Sequence, residues 1–544
     1  MNKWFKSGSP WVWLSAAGVS VSLISVLGLL LLIASNGLSY FWPSQIHQFN
    51  MTDVDGKKSV VIGEVYDTER IPAEQLAHTA IDLKGREFVE RYLIKTGNRE
   101  LVNLDFRWIV EPLIESRSIP TELVVIERRT NGNFYGFIEQ VYMDGKQVDI
   151  NQLEQFVDRV DNLQADIEQL QKTDIGAINY ALERIRLNTR KAEIDGVLTT
   201  ELQAQFEQQA KALNDEYLQL EQTLNKLREQ VQRDNIVVRA MNDEQISINL
   251  DQIIRISYNN KLGLFEKTAL FFDQIGNFIF ADPREANTEG GVFPAIFGTV
   301  LMVLLMTVIV APMGVVAAIY LHEYAGNNAF TKLLRIAVIN LAGVPSIVYG
   351  VFGLGFFVYM VGGSLDQIFY PESLPSPTFG SPGVLWSALT LAILTLPVVI
   401  VSTEEGLARI PASMRHGSLA LGATKAETLW RIILPLASPA IMTGLILAIA
   451  RAAGEVAPLM LVGVVKMAPT LPLDGNFPFL HLERKFMHLG FHIYDVGFQS
   501  PNVEAARPLV YATALLLVTI IVALNMTAVS IRNRLREKYR SLEH

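Results

Sequence analysis

Apolar runs of membrane-spanning length stand at both ends of this chain, and a long charged stretch, Gln45 to Asn260, separates them. A bilayer core of about 30 Å takes roughly 20 apolar residues in helical form. With no water to bond the backbone there, such runs must be helices. Trp11–Ala34 meets the length without one charge. Phe293–Tyr320, Leu334–Val361, Val384–Val401, Ala440–Val465 and Leu509–Ile531 follow in the second half. The chain therefore reads as an α-helical polytopic membrane protein of six predicted spans, with a large α+β insertion between the first span and the rest.

Orientation follows from the placement of Lys and Arg. Residues 1–10 form a tail with Lys3 and Lys6. Residues 11–34 are an anchor, with Trp11 and Trp13 at one interface and Tyr40–Trp42 at the other. Ala34-Ser35-Asn36 is a poor cleavage site, which favours an anchor over a removed signal peptide. Lys332 and Arg335, then Arg409, Arg415, Lys425 and Arg431, then Arg532, Arg534, Arg536, Lys538 and Arg540 of the tail 532–544 fall on one side of alternating spans. That side is expected to be the cytoplasm, with both termini in it and the insertion in the periplasm. The loop Lys466–Pro508 fits less well, since it carries Arg484 and Lys485 yet must lie outside.

Residues 41–260 have a soluble character. Ser59–Tyr66, Phe88–Lys95, Phe106–Val110, Leu123–Arg128 and Phe134–Met143 read as strands, with a hairpin signal at Asn131-Gly132. Leu153, Phe156, Val160, Leu163, Ile167 and Leu170 then alternate steps of three and four, as do Phe206, Ala210, Leu213, Tyr217, Leu220, Leu224, Leu227 and Val231. With a reversal near Gly196, this predicts an antiparallel coiled-coil hairpin over about 149–233. It serves either as a docking stalk or as a brace. Ile236–Arg239 and Gln245–Tyr258 return to strand-like alternation. Residues 261–290 hold the Phe-rich Leu262–Phe280, too interrupted to span and expected to lie at the membrane surface, and a polar linker. The chain has no cysteine, so no disulfide or thiol chemistry, and its net charge of −9 argues against nucleic-acid binding. No G-x4-GK[ST] pattern occurs, so ATP hydrolysis is not expected here, and no cofactor is expected on this chain.

The loop 402–436, between the fourth and fifth runs, is polar and amphipathic. Leu407, Ile410, Met414 and Leu421 stand at helical spacing within Glu405–Leu421, and Pro411 marks where the regular part starts. Gly422 suits a left-handed C-cap. Ala423-Thr424 opens a second helix, with Lys425 in its first turn and Glu427 completing a capping box, and the segment ends at Leu434-Pro435. This is either a rigid handle for a partner or an ordinary interfacial loop.

Arg451 and Glu455 stand four apart in an apolar run, on one face of a helix. Each charge costs about 2.5–3.5 kcal/mol at mid-bilayer on insertion scales. They are a structural ion pair, or they line a path for an anion that a guanidinium can grip with two hydrogen bonds. Gly343-Val344-Pro345-Ser346 is read as a break near the middle of the third run, either a packing kink or a helix restart that aims N–H groups at an anion. His488 and His492, near Glu483 and Asp495, raise a metal site as a minor alternative to none.

The spacing Gly422, nine residues, Ile432, Leu434-Pro435 resembles the cytoplasmic coupling loop of ABC-importer permeases. Tyr320–Ala325 (YLHEYA), Gly343–Leu354 (GVPSIVYGVFGL) and Ala450–Leu459 (ARAAGEVAPL) resemble the PstA-type permeases of phosphate importers, and the likeness covers roughly Gly291–Ala528. It implies a type I permease fold over 291–531 and half of a phosphate path through Arg451, Glu455 and Ser346. It further implies coupling through Gly422, Ala423, Thr424, Lys425, Glu427 and Pro435. The partners implied are a second related permease of the PstC type, a PstB-type ATPase dimer that binds the ATP, a periplasmic phosphate-binding protein and the bilayer of the bacterial inner membrane. His416-Gly417-Ser418 stands where the family has Glu-Ala-Ala, and Val401 where it often has Arg. The insertion is absent from the short members, so its role does not carry over. A permease for sulfate or molybdate, and a membrane-anchored coiled-coil scaffold, remain as alternatives.

Overall fold

The computed structural model describes residues 7–53, 55–76, 79, 81, 86–97, 106–284, 289–326, 328–500 and 503–539. Lys3, Lys6 and Arg540, which entered the orientation reading, lie outside the described residues. The chain divides into two compact units, Phe41–Gly291 and the flanking segments Met1–Tyr40 with Val292–His544.

Helix α1 (Ser9–Ser39) runs past Ala34, because Ser35 and Ser39 return their hydroxyls to Leu32 and Asn36 carbonyls instead of breaking it. Its residues are almost all exposed apolar side chains, as a lipid-facing helix requires. It packs on the last span at Gly37, where a Cβ would lie 2.9 Å from the Tyr511 carbonyl oxygen.

The middle unit holds two large antiparallel sheets, beside a two-stranded pairing of Pro283–Arg284 with Glu289–Gly290. The first has the order β4-β3-β2-β1-β5, from β1 (Ile46–Thr52), β2 (Lys58–Pro72), β3 (Phe88–Lys95), β4 (Phe106–Val110) and β5 (Ile114–Ser118). The second has the order β10-β9-β7-β6-β11 with β8 beside β7. Its strands are β6 (Val124–Arg128), β7 (Phe134–Met143), β8 (Lys146–Val148), β9 (Asn235–Arg239), β10 (Gln245–Asn249) and β11 (Ile253–Ser257). Strands β3, β4 and β7 stand at their expected bounds. Strands β1, β5 and β8 were not expected from the sequence. In β1 the apolar alternation is confined to Phe49–Thr52 and the buried side includes the polar His47, and β5 is almost wholly exposed. Gln245–Tyr258 is two strands, not one, because the turn Leu250–Gln252 sends β10 and β11 to opposite edges of the sheet.

The hairpin rises from the second sheet as α2 (Leu153–Gln169), a π turn (Leu170–Ile175), α3 (Gly176–Ile194) and α4 (Thr200–Gln232). The π turn interrupts the three-four rhythm, which is why no heptads were legible beyond Leu170. Gly196 makes the reversal at φ +70°. The expected seam is only partly internal to the hairpin. Leu153, Val160, Ile167, Leu224 and Val231 share one buried cluster with Val124, Ile126, Phe134, Val141, Ile236 and Val238 of the sheet. The base of the hairpin is thus sheet core, while Phe206, Leu213 and Tyr217 above it are half-buried. Helix α5 (Leu264–Phe280) follows.

In the flanking unit, α6 (Phe293–Ile319) contains Pro312 and passes through a π turn to Tyr324. Helix α7 (Ala329–Leu341) and α8 (Ser346–Phe352) are separate, so the expected span Leu334–Val361 is corrected. Pro345 is extended (φ −56°, ψ 136°), and Gly343-Val344-Pro345 ends an amphipathic helix before the span begins rather than breaking the span midway. The span continues through Gly353–Gly362 into α9 (Gly363–Phe369). Helix α10 (Val384–Ala408), the short α11 (Ala412–Ala420) and α12 (Lys425–Thr428), and α13 (Leu434–Gly454) come next. The expected fifth span, Ala440–Val465, ends instead at Gly454, and α14 (Ala457–Val462) restarts after it. Helices α15 (Leu489–Tyr494) and α16 (Val503–Tyr539) close the chain. Among the described residues, six helical stretches are long and apolar enough to cross a membrane. The one centred on α10 is the most enclosed, with 67% of its apolar window buried. Close backbone approach makes this possible: a Cβ on Gly314 would stand 2.5 Å from Val399, and one on Gly444 2.6 Å from Ser402.

Candidate functional site

Two places in the flanking unit concentrate polar chemistry against apolar helices. The first is the loop between α10 and α13. Helix α10 runs to Ala408, so Glu405–Ala408 belongs to a span and not to the loop helix. Pro411, extended at ψ 139°, then starts α11 as its N-cap. Gly422 takes φ +87°, with its N–H bonded to Leu419 O at 3.0 Å and the Ala423 N–H to Ser418 O at 3.3 Å. Thr424 caps α12. Its Oγ1 accepts from the Glu427 N–H at 3.2 Å, and the Glu427 carboxylate accepts from the Thr424 N–H at 2.9 Å. Those Thr424 hydrogen bonds hold the Glu427 carboxyl below the usual carboxylate range. The Ser418 and Thr428 hydroxyls join the two short helices at 2.9 Å.

What makes this turn rigid is its floor. Leu407, Ile410, Leu429, Ile433 and Ala437 form a buried cluster with Met414 against it. Arg415 donates to Glu323 Oε1 at 3.0 Å, Ile410 O at 2.8 Å and Leu407 O at 2.7 Å. Lys425 donates to the Glu323 carbonyl and lies 4.5 Å from the Tyr324 ring centre. The π turn Tyr320–Tyr324 is therefore the anvil of the loop. Glu323 falls within Tyr320–Ala325, and no local pattern marks it as the anchor. Outward, Leu421 is 91% and Trp430 74% exposed. Beside the loop, Arg335 of α7 stands 3.5 Å from Glu404, so a cation faces the Ser402-Thr403-Glu404 segment although position 401 is Val.

The second place is the break after α13. Arg451 sits in the last turn, where the helix dipole favours a cation. Glu455 is outside the helix, extended at ψ 129°, so the two do not share a helix face as expected. They still pair, Nε to Oε1, at 3.5 Å, because the chain turns back before α14. Both side chains are partly open, at 34% and 19%. The start of α8 lies alongside: a Cβ on Gly350 would be 2.7 Å from Pro458 Cα, and Tyr349 donates to Leu341 O at 2.5 Å. Ser346 is one turn before Tyr349 and Gly350. The structure thus brings the GVPS restart and the ARAAGE break to one place.

Residues 311–540 match the family model of the binding-protein-dependent transport system inner membrane component. The chain is 32% identical over 267 residues to the phosphate transport system permease protein PstA of Yersinia pestis, covering 49% of this chain and 81% of that one. It is 31% identical over 241 residues to the probable phosphate transport system permease protein PstA of Methanocaldococcus jannaschii, covering 44% and 74%. The chain belongs to this permease family. Against the probable ABC transporter permease protein YqgH of Bacillus subtilis the identity is 34% over 194 residues, spanning 36% of this chain and 59% of that one.

As a PstA-type permease the protein is a multi-pass inner-membrane component, and its partners include an ATPase and a substrate-binding protein. ATP hydrolysis lies on a separate chain. The histidines of the loop before the permease's last span do not gather ligands. Among the described residues, no group of three His, Asp or Glu could hold a metal. His488 caps α15, its Nδ1 accepting from the Gly490 N–H at 3.1 Å, and burial lowers its pKa to about 4. Glu483 faces His481 at 3.2 Å, and Asp495 pairs with Lys466 at 3.1 Å.

Proposed function

We propose that this permease forms half of the translocation path of an ATP-driven phosphate importer. It would work with a PstC-type second permease, a PstB-type ATPase dimer and a periplasmic phosphate-binding protein. The observation that supports the path is the Arg451–Glu455 pair at the break between α13 and α14. A guanidinium stays charged and offers a planar two-pronged donor to an oxyanion, and Glu455 balances it when the path is empty. Ser346, at the neighbouring restart, supplies a hydroxyl. Gly422, Ala423, Thr424, Lys425, Glu427 and Pro435 shape the handle that seats on the ATPase, with Leu421 and Trp430 as its exposed apolar contacts. Both termini and this loop lie in the cytoplasm, and Phe41–Gly291 lies outside.

The test is anion uptake beside the amount of assembled complex. Arg451→Gln should bring phosphate uptake to near background, Arg451→Lys should be poor because the fork is lost, and Glu455→Gln should retain part. Recovery of uptake in the Arg451→Gln, Glu455→Gln double variant would make the pair a packing device and sink the binding role. Competition by sulfate or molybdate rather than phosphate would reassign the substrate. Orientation is checked on a chain without cysteine: Gln208→Cys should react with an impermeant thiol reagent from outside, and Lys425→Cys should not. The reverse order would overturn the topology.

A further inference from the structure

Helix α5 (Leu264–Phe280) is apolar on two sides, and only one of them is covered within its unit. On the covered side, Phe278 is buried with its ring tilted against Phe41 at 5.2 Å, and Phe271 lies 5.9 Å from Trp42. The other side carries Phe265, Ala269, Phe272, Gly276 and Phe280, which a period of 3.6 residues places along one stripe. Phe265 is 88%, Phe272 65% and Phe280 74% exposed, and Leu264 beside them 76%. No charge falls inside the stripe. Glu266, Lys267 and Asp273 lie off it, and Asp273 is drawn to Arg255, which also holds Glu127 at 2.8 Å. Arg284 bonds the same Glu127 at 2.7 Å, so the helix is fastened to β6 and β11 and presents its stripe as a fixed surface.

Three bulky phenyl rings fixed in water lose the transfer free energy that burial would return, and a monomeric soluble face rarely carries such a patch without a purpose. What covers it follows from the covalent chain. Phe41 and Trp42, which hold the covered side, come directly after the last residues of the α1 span, and α6 begins shortly after α5 ends. The helix packs on the residues that follow the α1 span and is joined by residues 281–292 to the α6 span, so its reach is limited to the bilayer surface. We propose that the stripe of α5 lies in the headgroup–acyl boundary of the bilayer, on the side of Phe41–Gly291, and is this unit's lipid-contact surface. The helix has two acids and one Lys, so the attachment is apolar and not electrostatic.

The absence of cysteine permits a direct test in the full chain. Phe265→Cys, Ala269→Cys and Phe272→Cys each receive a nitroxide label in nanodiscs, beside Lys211→Cys on the hairpin and Val26→Cys in α1. Ala269→Cys removes no ring, so it reports even if a Phe replacement disturbs the helix. The three α5 labels should collide with oxygen as the Val26 label does. They should meet a water-soluble nickel chelate roughly fivefold less than the Lys211 label, alike in phosphatidylcholine and phosphatidylglycerol and in high salt. Nickel access equal to that at Lys211 would leave the stripe in water and overturn the proposal. Exclusion of both colliders would mean a protein covers it, and would overturn the lipid assignment as well. No transport is measured, so the outcome is independent of the phosphate reading.

Discussion

The permease contains two helix reversals built from the same local chemistry, one at Gly422 and one at Gly196. In each, the glycine is left-handed and its N–H bonds the carbonyl three residues back, while the next N–H reaches the carbonyl five back. In each, a Thr then caps the following helix, Thr424 Oγ1 accepting from the Glu427 N–H and Thr199 Oγ1 from the Leu202 N–H, both at 3.2 Å. The surroundings differ. The Gly422 turn is clamped by Arg415, Glu323 and Lys425 over a buried cluster. The Gly196 turn is flanked by Ile194 and Val197, 47% and 59% exposed. Identical turn chemistry therefore yields a stiff lever in one place and a free tip in the other. The distinction comes from long-range contacts and not from the turns.

The sharpest way to break this comparison is the same substitution at both glycines. A Cβ at Gly422 or Gly196 meets nothing within 4 Å, so valine at either costs only backbone strain, roughly 1–2 kcal/mol or more for a β-branched residue. Gly422→Val should insert normally yet lose ATPase association or substrate-stimulated hydrolysis, with uptake near background. Gly196→Val should leave uptake unchanged. Full transport by Gly422→Val would mean that the loop is not the coupling element.

A smaller effect is expected from removing the clamp while keeping the turn. Arg415→Ala leaves Glu323, whose side chain is 11% exposed, without its guanidinium and frees two carbonyls, a destabilisation of about 2 kcal/mol. Uptake should fall severalfold, and the Arg415→Ala, Glu323→Ala double variant should recover part of the thermal stability but not the uptake. Recovery of both would show that the clamp only neutralises a buried charge.

The smallest effect is at the caps. Thr424→Ala and Thr199→Ala should each cost about 1 kcal/mol of local helix stability, read as faster amide exchange over 425–428 and 200–203. They should differ in pH dependence. The Glu427 carboxyl is held below its ordinary value by Thr424, so its contribution is present above that value and is lost as pH falls through the lowered one. Exchange over 425–428 should therefore quicken in acid in the wild-type chain and not in Thr424→Ala. Leu202 has no acidic partner in its cap, so exchange over 200–203 should show no such change.

The caps, the turn glycines and Pro411 were all legible in the residues, because each acts on backbone groups within four positions of itself. The number of spans and three strand bounds were legible for a related reason: apolar run length and alternation report burial without naming the neighbour, although the third and fifth spans were misplaced. Glu323 was not legible as an anchor, since its partners Arg415 and Lys425 are remote in the chain. The hairpin seam was half legible. Its heptads indicated burial, but only the folded chain shows that Leu153, Val160, Ile167, Leu224 and Val231 are buried with the sheet.

The same boundary runs through the path residues. Residue type and the rarity of charge in apolar runs were enough to single out Arg451 and Glu455. That they meet beside the restart of α8 is seen only in the packing: α14 fits against Gly350 where no side chain intervenes, a Cβ there standing 2.7 Å from Pro458 Cα. Local hydrogen bonding and hydrophobic period write the elements into the chain. Which elements touch, and so which charges stand together, depends on contacts between residues far apart in sequence, and only the tertiary structure supplies those.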